Sequence, residues 1–393
     1  MDPRTNPYAP GAGTLPPELA GRDEIIEKAA IALDRFREGL AARSLLLVGL
    51  RGVGKTVLLT RIAQQAEARG LVVASIETPE KRSLPSVLIP SLRTALLKLD
   101  RIAVAGVLAK RALKVLGSFV GAMKVKYLDI EFSVDVGREP GVADSGELEN
   151  DLIELFMEVG RAAKEKRSAV AFFIDELQYV DEDQFASLIT ALHRCAQSQL
   201  PIALIGAGLP QLVGQAGRAK SYAERLFEFP QIGPLNESEA RKALEAPAQK
   251  LGVRYEEGAL AEILQQTQAY PYFLQEWGKH SWHCATGSPI TKADAISASD
   301  LAISELDASF FRVRFDRLTP AEKRYLRAMA ELGAGPHRSG DIAQILQKEV
   351  QTVAPTRATL IAKGMIYSPS HGDNSFTVPL FDGYMKRVMR GLN

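Results

Sequence analysis

From Ser44 to Ala63 the chain reads "SLLLVGLRGVGKTVLLTRIA", an apolar run that opens into three glycines, offers one lysine and one threonine, and resumes at helical spacing. Few folds accommodate such a stretch. Gly49 to Thr56 fits the pattern G-x-x-x-x-G-K-[ST] at every fixed position, between a predicted buried strand and a predicted helix. Bare backbone at Gly49, Gly52 and Gly54 lets successive N–H groups wrap polyphosphate oxygens, and the helix N-terminus adds partial positive charge. In that reading the Lys55 ammonium reaches the β- and γ-phosphates and the Thr56 hydroxyl ligates Mg²⁺.

The surrounding pattern predicts how this loop is mounted. "LVVASIE" after the helix is a second buried strand, so strand, crossover helix and strand imply a parallel sheet. "AVAFFID" and "PIALIGA" read as a third and fourth buried strand, and "LFEFPQI" as a fifth. Buried strands alternating with helices over about 200 residues give a doubly wound α/β core, whose ligands sit at the carboxyl ends of the strands. Within it, a helical tract is expected from about Leu84 to Val120, and "KVKYLDIEFSVDV" alternates like an exposed strand or hairpin.

The expected divisions are an extended Pro/Gly-rich segment over 1–18, a core over 19–235 with a basic helical insert around 84–135, and helices alone over 236–318. Over 319–393, two helices joined by a tight turn precede "IYSP" and "SFTVP" flanking "SHGDN", which predicts a winged helix-turn-helix.

Two acidic residues end the third strand, in "AVAFFIDELQ". A strand that apolar has no surface role, so Asp175 and Glu176 need a reason. Beside the glycine loop, Asp175 would hold Mg²⁺ through its water shell and Glu176 would polarise an attacking water; capping of the following helix is the plainer use of such residues. Gln178 falls within reach of the same site as a γ-phosphate or water contact, or else is a loop amide facing solvent.

In order, "LAGRDE", "GLRGVGKT", "FFIDELQ", "SYAERLFEFPQIGPL" and the C-terminal winged helix resemble AAA+ ATPases of the origin-recognition-like group and the related STAND and archaeal-type ATPases. The resemblance spans about 19 to 390. It implies a P-loop NTPase core with ATP between the core and a helical lid, and it lays Gly21 and Arg22 against the adenine; read alone, that pair is a capping turn. It implies an arginine finger at Arg225, with Arg218 as second candidate, supplied to a neighbouring subunit of a homo-oligomer; the alternative is a surface ion pair with Glu224 or Glu228. The chain also departs from the pattern. The fourth strand ends "LIGAGLPQL", where Gly206, Ala207 and Gly208 offer no polar sensor, and the second sensor arginine is not found on a lid helix. "AYPYFLQEW" there is similar to the GxP lid motif of STAND ATPases, which implies that Pro271 touches the base; a proline at the first turn of a helix is the ordinary alternative. These losses favour slow hydrolysis, or a nucleotide-holding switch, over a fast motor.

Charge adds local features only. The 393 residues carry a formal net charge of +1, so overall charge does not point to nucleic acid. Residues 319–393 hold ten Lys/Arg against six Asp/Glu, and Thr356, Arg357, Thr359 and Lys363 lie on the expected second helix of the helix-turn-helix, the one that would face DNA. The insert from Arg93 to Lys126 has eight Lys/Arg against one Asp, suited to nucleic acid, a membrane surface, or a solvated helix face. No apolar run approaches membrane-span length and no signal-peptide core is present, so a cytoplasmic protein is expected. Cys195 and Cys284 are far apart and read as reduced thiols, and the five histidines show no metal-ligand spacing. The expectation is an ATP-binding, Mg²⁺-dependent ATPase acting as a switch. The alternatives are a DNA-acting ATPase and a binding module that holds ATP with negligible turnover.

Overall fold

A computed structural model describes residues 1–11, 13–80, 82–104, 106–127, 137–370 and 372–391. Helix α1 (Asp23–Arg37) leads into strand β1 (Ser44–Val48), α2 (Lys55–Ala68), β2 (Val72–Glu77), α3 (Leu84–Asp100), α4 (Leu108–Tyr127), α5 (Leu148–Glu165) and β3 (Val170–Asp175). Then follow α6 (Glu182–Gln197), β4 (Ile202–Gly208), α7 (Gln211–Ala219), the short α8 (Ala223–Leu226) and β5 (Phe227–Glu228).

The strands form one parallel sheet in the order β2-β3-β4-β1-β5. β1, β3 and β4 are buried at every residue because helices cover both faces. Strand periodicity divides their side chains: Leu46, Ile76, Phe172, Ile174 and Leu204 join α3 to α6 in one core, while Leu45, Leu47, Val73, Phe173 and Ile205 join α1 and α2 in another. The carboxyl ends of β1 and β3, neighbours of β4 on its two sides, carry the glycine loop and the acidic pair.

The helical tract expected from about Leu84 to Val120 is two helices, the first ending at Asp100 and the second beginning at Leu108. Their apolar faces are spent inside the molecule: Leu92, Leu96 and Leu99 of α3 and Leu116, Phe119 and Met123 of α4 are buried against α5. The basic side chains Lys110, Lys114 and Lys124 lie on the outer face of α4. A packed helix with a solvated face therefore accounts for the composition, and among the described residues of α3 and α4 no apolar stripe is left for a membrane surface. Of the expected strand or hairpin over 124–136, residues 124–127 end α4 and 128–136 lie outside the described residues.

Four helices follow the sheet: α9 (Glu237–Gln249), α10 (Glu257–Thr267), α11 (Pro271–Cys284) and α12 (Lys292–Ala308). Helix α13 (Phe310–Asp316) leads to α14 (Pro320–Glu331), β6 (His337–Arg338), α15 (Ser339–Ile345), α16 (Val350–Ala362), β7 (Ile366–Tyr367), β8 (Asp373–Phe376) and α17 (Phe381–Val388). Capping boxes at Thr291/Asp294 and Thr319/Glu322 start α12 and α14. β7 and β8 are the antiparallel pair expected around "SHGDN", and β6 adds to the other edge of β8.

One apolar cluster runs through both regions across residue 318, including Trp277, Phe311, Tyr325 and Phe381. The N-terminal segment is packed onto it. Trp282 Nε1 donates to the Asp2 carbonyl at 2.9 Å, and Asn6 Nδ2 to the Lys279 carbonyl at 3.0 Å. The Tyr8 ring lies on α11 where a Cβ at Gly278 would come within 2.6 Å of it.

Candidate functional site

The glycine loop spans the turn from β1 to α2. Gly52 and Gly54 have φ of +81° and +89°, the left-handed backbone a side chain resists, and a Cβ at Gly54 would meet no heavy atom within 4 Å. That open cradle above a helix N-terminus is the geometry polyphosphate requires. Lys55 begins α2 and is buried, its Nζ donating to the Gly49 and Leu50 carbonyls at 2.9 Å each. Burial pulls its ammonium down to about 8, opposed by the nearby Glu176 and Asp175 carboxylates.

Asp175 ends β3 beside it. Thr56 Oγ1 donates to Asp175 Oδ2 at 2.6 Å, and the Glu176 N–H donates to Asp175 Oδ1 at 2.8 Å. Burial raises the Asp175 carboxyl above its usual range, with the Thr56 hydrogen bond opposing. A hydroxyl and a carboxylate in contact form a hard-oxygen pair of the kind that suits Mg²⁺. Glu176 has a left-handed backbone, φ +54°, an uncommon conformation for glutamate. Two bonds from Thr78 Oγ1, to the Asp175 and Glu176 carbonyls at 2.8 and 2.7 Å, brace that turn.

These groups line a cavity of about 520 Å³. Its walls include Gly52, Gly54, Lys55, Thr56, Asp175 and Glu176 from the core, Pro271 and Tyr272 from α11, Phe310 and Arg314 from α13, and Gly11 and Gly13 from the N-terminal segment. Arg22 also lines it; its guanidinium donates to the Gly233 and Val53 carbonyls at 2.7 and 3.2 Å, and burial lowers its pKa. Gly21 packs against Leu235 and Glu239. Pro271 opens α11 as its first residue, and the Tyr272 N–H donates to the Gly52 carbonyl at 3.1 Å.

Gln178, expected as a γ-phosphate or water contact or else a solvent-facing amide, does not face solvent. It is buried outside the cavity lining; its Oε1 accepts from the Leu209 N–H at 3.0 Å and its Nε2 donates to Glu176 Oε2. It holds the Glu176 carboxylate. It also explains the small residues ending β4: a Cβ at Gly206 would lie 2.2 Å from Leu177 Cδ1, and one at Gly208 would lie 2.8 Å from Gln178 Oε1. The side chains after Glu176 fill the space over that strand end.

Arg225 is exposed on α8 and lines a separate surface cavity with Lys28, Arg43 and Glu228, away from Lys55. Glu228, one expected partner, pairs with Lys28 at 2.5 Å; Arg218 pairs with Glu182 at 3.2 Å. On α16, Arg357 Nε donates to Asn374 Oδ1 at 2.6 Å, and Lys363, at the C-cap of that helix, donates to Glu322 Oε2 at 2.8 Å. Two of the four residues expected to face DNA are thus committed within the chain. Cys195 and Cys284 are free thiols. Glu276, His280 and Glu305 converge from α11 and α12, a grouping that residue spacing did not reveal, but Lys279 Nζ lies 3.4 and 2.7 Å from the two carboxylates and supplies the positive charge there.

Arg51 went unnoticed in the sequence because it occupies a variable position of the glycine motif. Its N–H donates to the Thr377 carbonyl at 2.9 Å, Nη2 to Tyr179 Oη at 2.6 Å, and Nη1 lies 3.7 Å from Glu176 Oε1.

Sheet, glycine loop and acidic strand end define an α/β P-loop NTPase. Residues 18–205 match the AAA ATPase domain family. Residues 308–385 match a domain of unknown function. Among solved structures, the Walker-type ATPase paby2304 of Pyrococcus abyssi is similar over 95% of this chain and 99% of its own, at 16% identity and a TM-score of 0.59. The Aeropyrum pernix ORC1 protein, solved in complex with DNA, is 15% identical over 95% and 94% of the two chains with a TM-score of 0.47. CDC6P from Pyrobaculum aerophilum is 12% identical over 99% and 98%, with a TM-score of 0.46. At 16% identity the likeness to the Pyrococcus abyssi ATPase is one of fold. No curated protein matches the chain. Among the described residues, no helix is long and apolar enough to cross a membrane.

Proposed function

We propose that the protein is a slow, Mg²⁺-dependent ATPase working as a nucleotide-controlled switch, with α9 to α12 as the lid and the region after Thr319 as a winged helix. The observation that carries this reading is the single cavity in which Lys55, Thr56, Asp175 and Glu176 meet residues of α11 and α13. Ligand there touches the core, α11 of the four-helix region and α13, which leads on to α14, so its γ-phosphate can bias their arrangement.

In this reading Lys55 exchanges two loop carbonyls for phosphate oxygens, while Arg22 and Pro271 border the base. Thr56 and Asp175 would hold Mg²⁺, which when bound neutralises charge on the β- and γ-phosphates. Glu176 orients the attacking water and accepts its hydrogen bond. Its carboxylate is shared with Gln178 and Arg51, and β4 offers no polar side chain to the terminal phosphate. Both features favour slow turnover. Arg225, exposed and away from the chain's own cavity, would act only on the site of a second copy.

The commitment of Arg357 and Lys363 favours a protein-facing switch over a DNA-acting ATPase. The deciding experiment is phosphate release by the purified protein with Mg²⁺ and ATP, with and without duplex DNA, beside Glu176→Gln. Slow, Glu176-dependent release indifferent to DNA is expected. Salt-sensitive stimulation by DNA would overturn the protein-facing reading, and release unchanged in Glu176→Gln would overturn the site assignment.

A further inference from the structure

On α11, one turn beyond Pro271, stands a polar side chain that the mechanism above does not use. Gln275 is buried and lines the glycine-loop cavity, and among the described residues its Oε1 has no hydrogen-bond partner. The same helix face carries Pro271 before it and Gly278, under the Tyr8 ring, after it. The residues between are engaged elsewhere: Tyr272 Oη donates to Glu276 Oε1 at 3.0 Å, and Trp277 Nε1 donates to Ser299 Oγ at 2.8 Å. A buried amide oxygen left unpaired is costly, and a ligand in the cavity can relieve that cost.

The apolar part of the lining says what kind of ligand group meets it. Leu19 and Ala20 come from the approach to α1, Leu235 from the approach to α9, and Ala243 from α9 itself, which packs on α11. Such walls accept the faces of a flat ring, but orientation and specificity fall to the few polar groups among them. An amide carries an acceptor and a donor side by side, and its terminal torsion is soft, so both can be turned to a ligand. Adenine offers the complement, a 6-amino donor beside a ring-nitrogen acceptor; guanine has a carbonyl oxygen at position 6. Resting on the ATP reading of this site, we propose that Gln275 selects the base, its Oε1 accepting from the 6-amino group of adenine while its Nε2 donates to the adjoining ring nitrogen. Guanine in that position sets oxygen against oxygen and leaves Oε1 unpaired. Pro271 and the apolar walls then supply contact that any purine receives, and Gln275 supplies the choice among purines.

The test is equilibrium binding of Mg·ATP, Mg·GTP and the Mg complex of purine riboside triphosphate, which is ATP without the 6-amino group. The protein is full-length Glu176→Gln, with and without Gln275→Met, which keeps the length of the side chain and removes its amide. The parent is expected to bind ATP about 5- to 100-fold more tightly than either competitor, the range for a buried hydrogen bond whose loss strands its partner. In Gln275→Met, ATP should weaken by that factor and purine riboside triphosphate by less than about threefold, so that the preference disappears. Equal binding of ATP and either competitor by the parent overturns the proposal, as does a preference that survives Gln275→Met or a uniform weakening of all three nucleotides; each leaves the site reading intact. If Gln275→Met does not fold, Gln275→Asn, whose amide falls one methylene short of the base, takes its place, and an undiminished preference for ATP in that variant overturns the proposal equally. Failure of the parent to bind any of the three overturns the ATP reading and this proposal with it.

Discussion

Lys55 is held without phosphate at a cost. Its ammonium, pulled from 10.5 to about 8 by burial, is charged less readily in the folded protein than in the unfolded chain. The unfolded state therefore binds more protons between those values, so the free protein gains stability as pH rises from about 8 to about 10.5. Polyphosphate restores the charge. At pH 8.5, nucleotide binding should take up as much as about one proton, read by calorimetry in buffers of different ionisation enthalpy; Lys55→Ala should abolish binding, and with it the uptake. Glu176→Gln should keep affinity and lose turnover by at least about 100-fold in a phosphate-release assay. Lys55, Thr56 and Asp175 were legible in the sequence because each stands at a fixed place in a short pattern or at the end of an apolar strand. Arg51 and Thr78 were not: one sits at a free position of the motif, and the other acts through two carbonyls contributed almost a hundred residues later. The partners of Gln178 within the chain were not legible either, since only the packing of β4 brings its amide to Leu209 and Glu176.

At the scale of elements, β4 shows how a strand end can be set by the loop beside it. Gly206 and Gly208 suggest a missing side chain when read in line, and an occupied space when read in the fold. Gly208→Ala should therefore destabilise by about 1–3 kcal/mol through overpacking against Gln178 and Leu212, measured by denaturant unfolding; an unchanged midpoint would mean that this contact yields freely. The buried strands and the hairpin near the C-terminus were legible from period and turn chemistry. The break between α3 and α4 was not, because both helices carry apolar faces to the same core and the pattern continues across it. On α16 sequence supplied the right charges but not their direction, which is fixed by Asn374 and Glu322 on other elements. Arg225 belongs to this scale also: Arg225→Ala should lower turnover only at concentrations where the protein self-associates, and a loss in the monomer would exclude a role on a second copy.

Over the whole molecule, one apolar cluster joins the helices after the sheet to α14, α15, α16, β7, β8 and α17. Calorimetry should find those regions melting together, and Tyr8→Ala should lower that transition, costing about 3 kcal/mol. Two independent melts would contradict the shared core. Composition suggested that residues 1–18 were simply extended; the seat that holds Tyr8 is distributed over residues too distant for any local pattern to reveal. Tyr8 Oη donates to the Leu244 carbonyl and accepts from Tyr255 Oη at 2.8 Å, across sequence separations of 236 and 247 residues. A ribosome adding about 5–20 residues per second reaches those partners some 12–50 s after it has made Tyr8. From the synthesis of Thr56 onward the growing chain has a complete glycine loop but no seat for Tyr8, whose ring stays exposed to chaperones until α9 and the turn before α10 emerge.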